Sequence, residues 1–452
     1  MSDIAVMKDF TKGKIAKPLM TFAIPMLIGN TLQQLFSIID AIIVGRYVGG
    51  GALAAVGVSL SIVFFLAAVT IGLTTGAAVL IAQFYGAKQL VKLKKAVSVS
   101  IIFLAGLSFV LTAVGIIFAP QLLRILNTDP EIFDDALMYL RIMMSGLIFM
   151  VFYNMYTAYM RALGETRRPL YILVFSVILS GVLTVYLVAV LDMGVFGAAI
   201  STIFSQFIAA ALSYLYARRK MKLLIIEKLS FDSELFWLII KYGAPAAVQM
   251  SAVTLSQMLI TRLINEFGQA AMAGITAVSR IDAFATMPVA TLSMAMSTFV
   301  AQNMGANLEA RAIRGFKIMS VYMVACALAI SAVLMVFAPQ LIALFIDHND
   351  ANRAEILSVG QEYLGIMVMF YIVFAILFSF NGFYRGVGDA VIAMVFPVVS
   401  LIIRTVFAYA LVRLAGMGPE ALAWSIPIGW GIGSVLSWVY YKKRRWVGKV
   451  AV

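Results

Sequence analysis

The sequence predicts an all-α polytopic membrane protein: twelve transmembrane helices in two parallel-repeat six-helix bundles around a central cleft. Three observations lead there. The 452 residues are 63% hydrophobic and only 12% charged, with mean hydropathy +1.00, whereas soluble domains carry about 25% charged residues. Twelve apolar stretches are long enough to cross a hydrocarbon core, which takes about 20 helical residues. The second half of the chain also echoes the first at a nearly constant offset.

The stretches run over about 18–44, 53–83, 95–118, 135–160, 169–191, 195–216, 236–265, 271–302, 315–337, 358–382, 391–412 and 418–441. Several exceed about 25 residues, so tilt, kinks or extension past the bilayer is expected. The leading MSDIAVMKDFTKGKIAK is of mixed charge and lacks an apolar core, so it reads as a cytoplasmic arm and not as a signal peptide.

Charge sets the orientation. Lysines and arginines gather in the N-terminal arm, at Lys88–Lys95, at Arg161–Arg168, at Arg218–Lys228, at Arg311–Lys317 and in the tail from Lys442. The alternate connections are acidic, with Asp129, Glu131, Asp134 and Asp135 in one and Asp347, Asp350 and Glu355 in another. By the positive-inside rule both termini are cytoplasmic, which requires an even number of spans. The same placement explains the net charge of +13 without nucleic acid, since no basic soluble module is present to hold a groove. One Cys (Cys326) and one His (His348) leave zinc, haem and Cys–His chemistry almost without ligands.

The repeat is read from short matches. LIAQFYGAK at Leu80 returns as FVAQNMGAN at Phe299, and FAPQLL at Phe118 returns as FAPQLI at Phe337, both at the same offset. RALGE at Arg161 returns as RGVGD at Arg385, and Met193-Gly194 as Met417-Gly418, both at a second, slightly larger offset. The predicted organisation is an N-terminal lobe over 1–216, a charged cytoplasmic linker over 217–234 and a C-terminal lobe over 235–452. Six crossings per lobe give the two repeats the same orientation, an arrangement that can open alternately to each side by rocking.

Polar groups at membrane depth are the candidates for chemistry. Asp40 lies near the far end of a first span that also holds Pro25, Asn30, Gln33 and Gln34. An embedded carboxylate costs about 2.5–3.5 kcal/mol at a helix centre, less toward the interface. Its repeat position falls on Leu259 or Ile260, both apolar, so symmetry does not demand it; a shallow, hydrated position and an ion- or proton-binding role are the two readings, the second preferred. Gln34, Ser37, Tyr153, Asn154, Ser180, Thr184 and Thr202 add polar groups to the same lobe. The second lobe carries Arg262, Arg280, Asp282 and Arg404. Arg280 and Asp282, two apart, do not face each other on a helix, and an Arg404–Asp282 pair is one option. Either it fixes helix register or, with Arg280, it belongs to the cleft. Gly386-Val387-Gly388-Asp389 spells the GxGD of intramembrane proteases, but it duplicates the turn Ala162-Leu163-Gly164-Glu165 and lacks a second embedded carboxylate. No Walker A sequence is present.

These features together resemble the multidrug and toxic compound extrusion (MATE) family, with its DinF-like branch most similar. The resemblance covers essentially the whole chain. It rests on the twelve spans in two halves, the first-span P…Q…D…G pattern, LIAQFYGAK with its echo, Asn154 seven residues before RALGE, and MGVFGAAIST. It implies a secondary antiporter that exports organic, often cationic or amphipathic compounds in exchange for protons or sodium ions, with no cofactor and no enzymatic activity. It further implies ion coupling at Asp40, Gln34 and Asn154. Two departures stand out. Ser180 and Thr184 occupy the fifth-helix positions where the DinF-like branch carries Asn and Asp, and Val253 lies near where the NorM-like branch carries a seventh-helix Glu. With one carboxylate among hydroxyls and amides, H+ is favoured over Na+ as coupling cation, Ser180 and Thr184 joining the site. Substrate-cleft candidates are Ser37, Tyr153, Thr202, Arg280, Asp282 and Arg404. The chain is expected to work as a multi-pass monomer of the cell membrane. The alternative is a flippase for lipid-linked oligosaccharides or lipids, which would need a cationic cavity built from Arg262, Arg280 and Arg404.

Overall fold

A computed structural model describes residues 7–226, 228–347 and 352–451, apart from the side chains of Ser37 and Ala41. His348 and Asp350, and the side chain of the cleft candidate Ser37, therefore lie outside the described residues. The first half comprises α1 (Ala16–Tyr47), α2 (Gly50–Gly86), α3 (Leu90–Ile117), the short α4 (Ala119–Ile125), α5 (Phe133–Ser145), α6 (Leu147–Ala162), α7 (Arg167–Thr184) and α8 (Gly194–Lys220). The second comprises α9 (Ser233–Ile264), α10 (Gly268–Gly305), α11 (Glu309–Ala343), α12 (Arg353–Met369), α13 (Tyr371–Val387), α14 (Ala390–Arg413) and α15 (Glu420–Lys442). Among the described residues there is no strand.

The fourth and tenth crossings are each broken into two helices. Pro130–Ser145 meets Leu147–Ala162 at 48°, and Arg353–Met369 meets Tyr371–Val387 at 50°. Counting each bent pair as one crossing, and α9 and α10 separately, the described helices supply twelve spans. Their outer faces stay apolar: Phe109 is 65% exposed and Ile117 64%. Contiguous exposed apolar surface of this kind calls for lipid rather than water.

The sequence repeat reappears in the backbone. Positive φ recurs at Lys88 and Asn307 (58° each) and at Gly49 and Gly268 (111° and 86°), two pairs that share the offset of the LIAQFYGAK echo. It recurs again at Gly164 and Gly388 (85° and 94°) and at Asp192 and Gly416 (52° and 67°), two pairs that share the offset of the RALGE echo. Gln83 and Gln302 of the echoed LIAQFYGAK motif are both fully buried. A left-handed turn costs an L-residue free energy, so its return at the same offset marks the duplicated element.

The chain divides into two compact units. The first comprises Met1–Gly13, Met20–Ala247 and Ala451–Val452; the second comprises Lys14–Leu19 and Val248–Val450. In the first unit, hydroxyl-to-carbonyl bonds tie helices together: Ser59 Oγ donates to Ala136 O at 2.9 Å and Thr112 Oγ1 to Met144 O at 3.0 Å. Gly72 and Gly76 of α2 lie against Ala247 and Gly243 of α9, so closely that a Cβ on either would sit 2.3 Å from a backbone nitrogen. Small residues four apart on both helices permit this approach. The segment before α9 is fastened to α3 by Ser98 Oγ, which donates to Ser230 O and accepts from Ser230 N (2.9 and 2.8 Å). Lys95 adds an ion pair with Asp232 at 3.6 Å. In the second unit α10 packs along α13, where Ser293 Oγ donates to Phe378 O at 2.7 Å and a Cβ on Gly382 would lie 2.5 Å from Ser293 O.

Both turns that carry the GxGD-like sequence are structural. Glu165 accepts from the amides of Arg167 and Arg168 (2.8 and 3.1 Å) and caps α7. Asp389 accepts from Tyr440 Oη at 2.6 Å. The partners of both carboxylates are thus donors, as a helix cap and a side-chain anchor require. Among the described residues no group of three His, Cys, Asp or Glu is placed to hold a metal.

Candidate functional site

Asp40 lies seven residues from the end of α1, half-buried, where the helix meets the end of α7. Thr184 ends α7 and is fully buried; its hydroxyl reaches Asp40 Oδ1 at 3.3 Å, a long contact for a hydroxyl and a carboxylate. On its other side Thr184 Oγ1 lies 2.7 Å from Ser201 Oγ of α8, which in turn is 2.8 Å from Ala198 O. Asp40, Thr184, Ser201 and a backbone carbonyl thus form one chain of oxygens. Immediately after Thr184 the helix widens into a π-helical turn, Val185–Val190. Such turns break the regular backbone ladder and recur at functional sites. Tyr139 of α5, buried, is close enough to Asp40 to feel its charge.

Among the described residues no lysine or arginine forms an ion pair with Asp40. Ser180 is buried one helical turn before Thr184, on the same face. Thr202 turns its hydroxyl back to Ala198 O at 3.0 Å, the usual helical satisfaction of a threonine. Of the residues that sequence suggested for the ion, the structure therefore joins Asp40 to Thr184, with Ser180 nearby.

Asn154 and Tyr153 are not part of that chain of oxygens. They line a space of about 60 Å³ with Pro25, Asn30, Gln33 and Arg161, and Asn154 Nδ2 donates to Met150 O at 2.9 Å. Gln33, not Gln34, faces this space; Gln34 is half-buried elsewhere on α1. Seven residues along α1 separate Gln33 from Asp40, about 10 Å at 1.5 Å per residue. The proline at 25 removes one rung of the helix ladder beside this polar cavity.

The second unit holds another polar cavity, of about 210 Å³, among α9, α10, α12, α14 and α15. Gln257, Ser279, Asp282, Tyr363, Arg404 and Trp430 line it. Asp282 Oδ1 accepts from Tyr371 Oη at 2.8 Å. Arg404 lies near enough to act electrostatically on Asp282, but among the described residues the two make no ion pair, and Arg404 Nε is buried without a hydrogen-bond partner. Gly429 admits Arg404 here, since a Cβ on it would lie 3.1 Å from Arg404 Cβ. Arg280 and Arg262 are exposed on α10 and α9 and do not line the cavity. Only one of the three arginines that a flippase reading needs thus reaches it, beside a carboxylate.

Comparison with known proteins decides the family. The MatE family model matches residues 25–187 and 245–410, one match in each half. The chain belongs to the MatE family. Within this family the chain is similar to the probable multidrug resistance protein YpnP of Bacillus subtilis, at 30% identity over 97% of each chain. It is 25% identical to the probable multidrug resistance protein NorM of Thermotoga maritima, over 90% of this chain and 87% of that one. Its fold matches an outward-facing multidrug resistance MATE family transporter of the MOP superfamily, with a TM-score of 0.90 at 21% identity over 98% of each chain. The twelve-helix MATE architecture expected from the sequence is therefore the fold of this protein, and it is a multi-pass membrane protein.

Proposed function

We propose that this MATE protein is a secondary antiporter that exports organic, often cationic or amphipathic compounds, and that Asp40 carries the coupling cation. The observation that bears most weight is the chain of oxygens from Asp40 to Ala198 O. With Asp40 charged, two hydroxyl protons serve three contacts: Thr184 donates to Asp40, and Ser201 must choose between Thr184 and Ala198 O. With one proton added to Asp40, every contact is filled, as Asp40 donates to Thr184, Thr184 to Ser201 and Ser201 to the carbonyl. An unfilled contact among buried groups costs about 1–3 kcal/mol, so the neutral site is the better satisfied one. Substrate binding that favours the charged state then releases the proton, and the linkage runs equally in both directions.

A proton needs only this reversal of donors, which favours H+ over Na+; sodium would need several further oxygens. The termini lie in the cytoplasm on the charge pattern, and the protein acts as a monomer. The names of the curated relatives, multidrug resistance proteins, support the substrate class. The test is efflux of ethidium from proteoliposomes under an imposed pH gradient or an imposed sodium gradient. The pH gradient alone is expected to drive uphill efflux. Efflux that follows the sodium gradient and ignores pH contradicts the proton assignment.

A further inference from the structure

Two opposite charges face the cavity of the second unit and neither is fully met. Asp282 has one oxygen held by Tyr371 and sits at the cavity wall. Arg404 enters from α14 with its side chain hydrogen-bonded to Tyr363, while its Nε is buried and, among the described residues, without a hydrogen-bond partner. Charges removed from water need paired, hydrogen-bonded partners. Here both line the same cavity of about 210 Å³, room for a small organic ion or for several waters. Gln257 and Ser279 at its margin are exposed, so the cavity has a mouth. Tyr363 and Trp430 supply aromatic walls.

We propose that this cavity is a binding site for small aromatic zwitterions, with the ligand's cationic group toward Asp282 and its anionic group toward Arg404. The charge balance selects this class. A lone cation gains Asp282 but is repelled by Arg404, and a lone anion meets the reverse. Only a ligand carrying both signs gains both attractions, while its ring lies against Tyr363 and Trp430 as aromatic-lined sites favour. The polarity also distinguishes this cavity from the Asp40 site, which has a carboxylate and hydroxyls but no arginine in its oxygen chain. The inference extends the efflux reading by naming a class of substrate. It is read from equilibrium binding without any gradient, so its failure and the failure of ion coupling at Asp40 are separate results.

Three probes share one ring and chain: L-phenylalanine with both charges, 2-phenylethylammonium without the carboxylate, and 3-phenylpropionate without the ammonium. Binding to the purified full-length protein in detergent is measured by calorimetry. Wild type is expected to bind the zwitterion at least tenfold more tightly than either single ion. Arg404→Gln is expected to remove that advantage and leave the cation preferred; Asp282→Asn is expected to leave the anion preferred. Ser279→Leu, which narrows the mouth and keeps both charges, is expected to weaken the zwitterion at least tenfold, and it serves where a charge variant does not fold. Equal binding of the three probes, no binding of the zwitterion, or zwitterion affinity unchanged in Arg404→Gln or Ser279→Leu overturns the proposal.

Discussion

Thr184 is the link that joins Asp40 to α8 in the proposed coupling site. It lies between Asp40 and Ser201, at 3.3 and 2.7 Å, and replacing it by valine keeps the shape while cutting the chain of donors. A lost hydrogen bond to a charged group costs about 1.5–3 kcal/mol. Thr184→Val is therefore expected to change the affinity for the coupling proton about tenfold or more, seen as a displaced pH dependence of ethidium efflux with the protein still folded. Asp40 itself was legible as a candidate from its cost at membrane depth. Tyr139 and Ser201 were not, because what makes them neighbours is the packing of α5 and α8, not spacing along the chain. The choice between Gln33 and Gln34 was hidden for a related reason: two adjacent residues differ by about 100° around a helix, and only packing fixes which one faces the cavity beside Pro25. The partner of Asp282 likewise comes from 89 residues away, as Tyr371.

Helix contacts in this protein depend on missing side chains. A Cβ at Gly76 would lie 2.3 Å from Gly243 N, and rigid backbone cannot yield as a flexible side chain can. Gly76→Leu is expected to destabilise the protein by about 1–3 kcal/mol or more, in line with overpacking elsewhere, and to lower the melting temperature in detergent. Gly106 of α3 has nothing within 4 Å of such a Cβ, so Gly106→Ala is expected to be neutral or stabilising by up to about 1 kcal/mol. A third case lies at the turn before α7, where Gly164 has φ 85° and a Cβ would lie 2.5 Å from Lys8 O. Gly164→Ala is expected to release Lys8, whose amide donates to Leu163 O at 3.1 Å, seen as faster amide exchange at residues 8–10. The duplicated turns were visible in the sequence because both copies keep a glycine, as Gly164 and Gly388. The breaks in the fourth and tenth spans were not, since no proline marks either one; the first falls at Gly146, against Ile203 of α8.

At the scale of the whole molecule the fold was almost fully legible, because a bilayer imposes its own period. Each crossing must be long, apolar and helical, and the nearly constant offset of the repeat carried the architecture from one half to the other. The repeat also exposes where the halves part company: Asp40 meets hydroxyls in the first, while Asp282 shares a cavity with an arginine in the second. The positive-inside rule predicts the orientation: a cysteine placed at Lys222 in a Cys326→Ser background should react with an impermeant maleimide only after cells are opened, whereas one at Asp134 should react in intact cells. The central claim, that Asp40 exchanges a proton for substrate, is tested most directly by running the transporter on substrate alone. Proteoliposomes with a trapped pH dye and no imposed ion gradient are given an ethidium gradient. Wild type should move protons against the flow of ethidium, changing the lumenal pH, and Asp40→Asn should not. Equal proton movement in Asp40→Asn, or ethidium flux through wild type without proton movement, would contradict it.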